Sequence, residues 1–108
     1  MRRGEIRWYS FKPPDKKRPV LILTRDSALT FLNEVTIAPV TSNIRDIPSE
    51  IVVGPEDDMP QHCAVNFDHI QTVSKAKLGG IITTLSAEKM SEAGRAICFA
   101  LGIDCYCG

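Results

Sequence analysis

No run of apolar residues in this 108-residue chain approaches the ~20 that a membrane-spanning helix needs, so no membrane role is expected. A secretory signal is missing too. Met1-Arg2-Arg3 leads into Gly4-Glu5 and not into an apolar core, so the expected location is the cytoplasm. Net charge is absent: 13 Lys and Arg balance 13 Asp and Glu, which argues against a bulk, non-specific coat on nucleic acid. Aromatics are few, with one Trp, two Tyr and four Phe, and no aromatic groove of the kind that holds peptides is legible. Cysteine is sparse. Cys63 and Cys98 sit in apolar stretches and read as small buried hydrophobes. Cys105-Tyr106-Cys107 has no C-x-x-C pair or nearby ligand cluster to complete a zinc site, so neither metal nor cofactor is expected. There is no internal repeat and no low-complexity tract. The length suits one domain, assigned to residues 1–104, with 105–108 as a short tail.

What the chain does have is an uneven distribution of charge. Residues 1–18 carry seven Lys and Arg against Glu5 and Asp15, a net +5. Residues 46–68 carry six acidic residues and no Lys or Arg, a net −6. One face can therefore hold a positive potential under a neutral total. The basic segment ends in Lys16-Lys17-Arg18 and runs straight into Pro19-Val20-Leu21-Ile22-Leu23. Arg18 thus stands at the mouth of an apolar strand. A guanidinium held there is a fork of donors matched to phosphate, although a solvated charge run before an ordinary strand would read the same way.

Strands are expected at about residues 4–10, from Pro19 to Thr24, from Val35 to Val40, over Glu50–Val53, over Cys63–Phe67, and around Ile70–Val73. The unbroken apolar run after Pro19 suggests burial on both faces. Asp26 is the expected cap of a short helical turn, and Lys75–Leu78 reads as another before Gly79-Gly80. The last helix is the clearest element. Ser86 caps it, Leu85 and Met90 fit a hydrophobic staple, Met90, Ala93, Ile97 and Leu101 form one stripe, and Gly102 stops it. The pattern implies a mainly β fold with some α. It is a small, strongly curved antiparallel sheet or barrel partly covered by a C-terminal helix.

Three segments place polar residues beside strands: Arg18-Pro19-Val20, Ala38-Pro39-Val40-Thr41-Ser42 and Asp68-His69-Ile70-Gln71-Thr72-Val73. A rigid scaffold presents functional groups at such places. A hydroxyl after a strand also makes local turn hydrogen bonds as a matter of course, so Thr41 and Ser42 say little by themselves.

Taken in order with Arg3-Gly4-Glu5-Ile6-Arg7-Trp8 and the final helix, these segments resemble the MazF/PemK toxins, the endoribonucleases of type II toxin–antitoxin modules. The likeness spans about residues 2–102. It implies an SH3-like barrel, a homodimer, and metal-independent cleavage of single-stranded RNA that halts translation and growth. The ribose 2′-OH would attack, leaving a 2′,3′-cyclic phosphate and a 5′-OH. By match to the family motifs, Arg18 and Thr41 would be the catalytic pair, with Ser42 and His69 as candidate support. A cognate antitoxin would block the site by laying an acidic, partly disordered segment along the toxin. RNA reading falls to the loop carrying Phe11, Lys12, Lys16 and Lys17, to the turn carrying Asn43 and Arg45, and to Gln71. Trp8, Tyr9 and Phe11 are candidates for base stacking, although Trp8 reads more readily as a core residue than as a stacking platform.

The chain departs from the family in its late segment. Asp68-His69-Ile70-Gln71-Thr72 stands where relatives commonly have Asp-Gln-Ile-Arg-Thr. That removes a cation and adds a group titrating near neutrality. His69 is either a strand residue facing water or a base assisting Arg18. His62, beside the acidic loop, reads as plain surface. The rival to an endoribonuclease is a non-catalytic module on the same barrel, holding DNA, gyrase or a peptide.

Overall fold

The computed structural model describes residues 1–12 and 16–104. Among them, seven strands pair antiparallel into one curled sheet. They are β1 (Glu5–Ser10), β2 (Lys17–Ile22), β3 (Glu34–Thr41), β4 (Glu50–Val53), β5 (Cys63–Asn66), β6 (Gln71–Ser74) and β7 (Leu78–Thr84). A one-turn helix, α1 (Asp26–Leu29), joins β2 to β3, and α2 (Ala87–Leu101) follows β7. The order is β4-β5-β3-β2-β1-β7, with β6 also pairing with β3. The long β3 is the hub. It holds β2 through Ile37–Pro39, β6 through Glu34–Ile37, and β5 through Val40 and Thr41. One strand shared among three partners makes the sheet coil on itself, reinforcing the twist that every strand already carries.

Coiling divides the core in two. Ile6, Leu21, Ala38, Val40, Val65 and Phe67 pack together beneath Ala93 and Ala96 of α2. On the other face Tyr9, Val20, Ile22, Val35, Ile37 and Val73 form a second cluster. Successive side chains of a strand point to opposite faces, so Val20 and Ile22 enter one cluster and Leu21 the other, all three fully buried. That is the burial on both faces expected of the apolar run.

The final helix forms as its sequence indicates. The Ser86 Oγ accepts from the Lys89 N–H at 3.2 Å, and Gly102 takes the left-handed conformation with φ 68°. Its packing stripe differs from expectation. Ala93 and Ala96 are buried, Met90 and Ile97 are partly buried against the core, and Leu101 is 57% exposed. The alanines let the helix lie close to the sheet, and Ala100 in its last turn still packs against the core while Leu101 turns outward.

Three local expectations change. Asp26 does not cap α1: the cap position is Arg25, and the Asp26 carboxylate accepts from the Arg3 N–H at 2.7 Å, tying the N-terminus to α1. Cys98 is half-buried and disulfide-bonded, not a buried hydrophobe. The turn expected over Lys75–Leu78 stops at Lys77, and Leu78 and Gly79-Gly80 open β7, a strand the sequence did not indicate, which pairs with β1 through two register shifts. A Cβ at Gly79 would stand 3.4 Å from the Trp8 Cβ, so glycine eases the close approach of the two strands. The tail at 105–108 lies outside the described residues.

One ion pair locks the start of the sheet. The Arg7 Nε donates to the Glu5 Oε1 at 2.8 Å and the Arg7 Nη1 to the Gly79 carbonyl at 2.9 Å, joining β1 to β7. Burial opposes ionisation of Glu5, but the bond from Arg7, a backbone contact from Arg2 and the Arg7 charge together hold its carboxyl below the ordinary 4.5. A lowered folded-state pKa stabilises the fold above the ordinary value and loses that contribution as pH falls through the folded value. Urea midpoints of the wild type and Glu5→Gln are therefore expected to differ by a constant amount at neutral pH, the wild type being more stable. The gap should close progressively below about pH 4.5.

Candidate functional site

The register between β2 and β3 brings the sequence motifs together. Ile22 lies opposite Ile37, Leu21 opposite Ala38, and Val20 opposite Pro39. Continued for two residues, the same register sets Arg18 level with Thr41. Both side chains line one cavity of about 250 Å³. Ser42 joins them at its rim, and Trp8, which pairs with Pro19 across β1 and β2, forms a wall. The rest of the lining comes from the segment between β4 and β5, Met59, Pro60 and Gln61, and from Cys63, the first residue of β5.

Each polar group has a defined setting. The Thr41 Oγ1 accepts from the Asn43 N–H at 3.1 Å. The ordinary turn bond expected of a hydroxyl after a strand is thus present, and it leaves the Thr41 proton as a donor. Arg18 is exposed, as are Lys16 and Lys17 beside it, so the cationic end of β2 forms one bank. Glu56, Asp57 and Asp58 stand immediately before Met59 in the chain, but none of them lines this cavity, and Glu56 and Asp57 line a separate one beside α2 with Glu88, Lys89 and Arg95. The basic segment therefore meets the acidic loop here only through the uncharged Met59, Pro60 and Gln61. Cys63 is 5% exposed, and burial, with the Asp57 carboxylate, pushes its thiol pKa upward. A thiol held neutral is a poor nucleophile.

The remaining candidate residues are distributed as follows. Lys12, Asn43 and Arg45 are exposed but do not line the cavity. Phe11 stands edge-on to Tyr9, ring centroids 4.6 Å apart, and both belong to the second core cluster. The Arg45 N–H is held by the Glu50 carboxylate at 3.1 Å, which anchors the turn after Ser42. His69 is exposed in a 3-10 turn before β6, and Gln71 pairs with Ile37. That is four residues along β3 from Thr41, or about 13 Å of strand, and neither side chain lines the cavity. Asp68 is structural: its carboxylate accepts from the Ser49 Oγ at 2.6 Å. Sequence reasoning missed Met59 and Gln61, which stand in an acidic loop with no motif of their own.

The family of PemK-like, MazF-like toxins of type II toxin–antitoxin systems matches residues 2–101. The chain belongs to this family. A probable endoribonuclease MazF5 of Mycobacterium tuberculosis is 39% identical over 106 residues, covering 95% of this chain and 93% of that protein. A probable endoribonuclease MazF2 of the same organism is 37% identical, covering 86% and 90%. Among solved structures, the M. tuberculosis toxin MazF-mt6 superposes with a TM-score of 0.86 at 34% identity, covering 94% of this chain and 99% of that one. A mycobacterial endoribonuclease in complex with its cognate antitoxin gives 0.85 at 25% identity, covering 97% and 98%. The curled sheet with its C-terminal helix is thus the fold of MazF toxins.

Against this MazF-like frame, the late-segment histidine stands apart from the cavity. His69→Gln is expected to leave the rate of RNA cleavage and its pH profile between about pH 5 and 8 as in the wild type, measured on a fluorogenic RNA. Loss of an acid limb in the variant would return His69 to the chemistry.

Proposed function

We propose that this protein is the toxin of a type II toxin–antitoxin pair and acts as an endoribonuclease on single-stranded RNA. The observation that carries the reading is the cavity shared by Arg18 and Thr41. Cleavage begins when the ribose 2′-oxygen attacks the adjacent phosphorus. As the 2′-oxygen bonds to phosphorus and loses its proton, the bond to the 5′-oxygen breaks and that oxygen gains a proton. The products are a 2′,3′-cyclic phosphate and a 5′-OH. Arg18 neutralises charge on the non-bridging oxygens of the phosphorane. A guanidinium keeps its proton throughout, so Arg18 is an electrostatic partner rather than a proton donor. Thr41 donates its hydroxyl proton to a second phosphoryl oxygen, its orientation set by the Asn43 N–H. Ser42 is a further donor at the rim, and Lys16 and Lys17 extend the cationic bank along the RNA backbone.

Partners and setting follow from the same reading. In this reading the antitoxin covers the cavity and its basic bank; that an antitoxin binds at all is supported by a mycobacterial relative solved in complex with its cognate antitoxin. Phe99, Leu101 and Ile103 at the end of α2 are each more than half exposed, an apolar strip suited to homodimerisation. Among the described residues no helix is long and apolar enough to cross a membrane, and the proposed site of action is the cytoplasm, where messenger RNA is found.

Arg18→Ala is expected to lower RNA cleavage in EDTA by at least about 10²–10³-fold, and Thr41→Val by a similar factor, with Thr41→Ser largely retaining activity. Mapped fragment ends should carry the cyclic phosphate, and antitoxin binding should survive in Thr41→Val. A wild-type protein that cuts none of a varied set of single-stranded RNAs would leave only a non-catalytic binding module.

A further inference from the structure

We infer that the cavity is also a nucleobase pocket, in which Trp8 stacks on an unpaired base beside the cleaved bond and Gln61 reads the edge of that base. The inference rests on the endoribonuclease reading and assigns a task to residues outside the catalytic pair. A phosphate needs donors and charge, which Arg18, Thr41 and Ser42 supply. It has no use for the remaining lining, where Val40, Met59 and Pro60 share the cavity with Trp8. An apolar wall with an aromatic plane suits a base, because stacking on aromatic side chains is how single strands are held. The volume, about 250 Å³, lies just below the roughly 300–1,000 Å³ of pockets for drug-sized ligands, which suits a single ring system.

Charge sets the orientation. The phosphates belong on the side of Lys16, Lys17 and Arg18, because the other side of the cavity, Met59, Pro60 and Gln61, carries no cation. A neutral base needs none, so the nucleotide enters with its backbone on the β2 side and its base toward Met59 and Gln61. Trp8 is placed to receive it. It is 42% exposed, yet its backbone is fixed between β2 and β7 by the Pro19 pairing and the close approach of Gly79.

Gln61 is presented by a rigid turn. The Asp57 and Met59 N–H groups donate to the Gly54 carbonyl at 2.8 and 3.1 Å, and the Gly54 N–H donates to the Asp57 carboxylate at 3.0 Å. The Thr83 hydroxyl holds the Asp57 carbonyl at 2.9 Å. Asp58 adopts φ 63°, the left-handed conformation that closes the turn. Met59 is 5% exposed, and Cys63 opens β5. The His62 ring lies so close to Gly54 that a Cβ there would come within 2.5 Å of it. Gln61 is therefore an exposed amide between two anchored neighbours. Its side chain offers a donor and an acceptor together, the combination that distinguishes one base edge from another.

Trp8 is the sole tryptophan of the chain, so its emission reports on this wall directly. The probe is a mixed-sequence pool of 2′-O-methyl RNA, which binds without a 2′-OH to react. Fluorescence is titrated alongside the anisotropy of an end-labelled sample of the same pool. Quenching that saturates together with the anisotropy is expected. With cleavable RNA, Trp8→Ala should raise KM roughly 10- to 100-fold, the effect falling on KM rather than kcat, and Trp8→Phe should recover most of the loss. Gln61→Ala should erase the preference for one base at a single position of the mapped fragment ends. Emission that stays constant while the anisotropy saturates overturns the stacking role. Unchanged base preference in Gln61→Ala overturns the reading role. Either result leaves the nuclease standing. A wild type that quenches with the pool yet cleaves no RNA keeps the pocket and removes the nuclease, and a pool that does not bind at all overturns both.

Discussion

The antiparallel register of β2 on β3 is the constraint on which the site depends. Once Leu21 faces Ala38 and Ile22 faces Ile37, the basic end of β2 and the polar end of β3 have no independent position. The two strands are locked because their alternating side chains fill two different cores. A slip of one residue would carry Val20 and Ile22 out of one cluster and Leu21 out of the other, which burial forbids. The placement of a guanidinium near a hydroxyl is in this sense a consequence of packing. The site lies where the ladder ends and the chains still run side by side, so its polar groups reach solvent while their backbones stay fixed.

The neutral total charge of the protein conceals an arrangement that the coiled sheet completes. The basic residues arrive on β2 and the acidic ones on the turn between β4 and β5, and β3 holds both strands beside it. The cations of β2 give their side of the cavity a local positive potential without a net charge that would bind nucleic acid at large, while the loop reaches the cavity through the uncharged Met59, Pro60 and Gln61.

Much of the fold was legible because it rests on local rules. Ser86 and Gly102 bound α2 as caps do, and the continuous apolar run of β2 announced its burial. The elements misread were those that distant contacts decide. The segment from Leu78 carried no strand signal, but β1 supplies the pairing that makes it one. Asp26 looked like a cap, but the Arg3 N–H competes for its carboxylate. Leu101 belonged to a regular stripe, yet it is 57% exposed. At the site, Arg18, Thr41 and Ser42 could be read from motifs and converge. Trp8 read mainly as core but is 42% exposed, since an aromatic next to an apolar strand has the same sequence signature in a core as at a rim. Gln61 was invisible, because nothing in its neighbourhood carries a pattern.

The amino-acid order alone determined which residues carry charge, which stretches must be buried, where the last helix starts and stops, and which motifs mark a MazF-like toxin. These follow from side-chain chemistry and from interactions a few residues apart. Only the tertiary structure decided that the cationic strand, the hydroxyl turn and a patternless acidic loop line the same cavity, and that His69 and Gln71 stand away from it. Residues 18, 41 and 61 are far apart along the chain, and what unites them is the pairing of β3 with β2 on one side and β5 on the other. That pairing is an outcome of packing the whole sheet, which no single segment encodes.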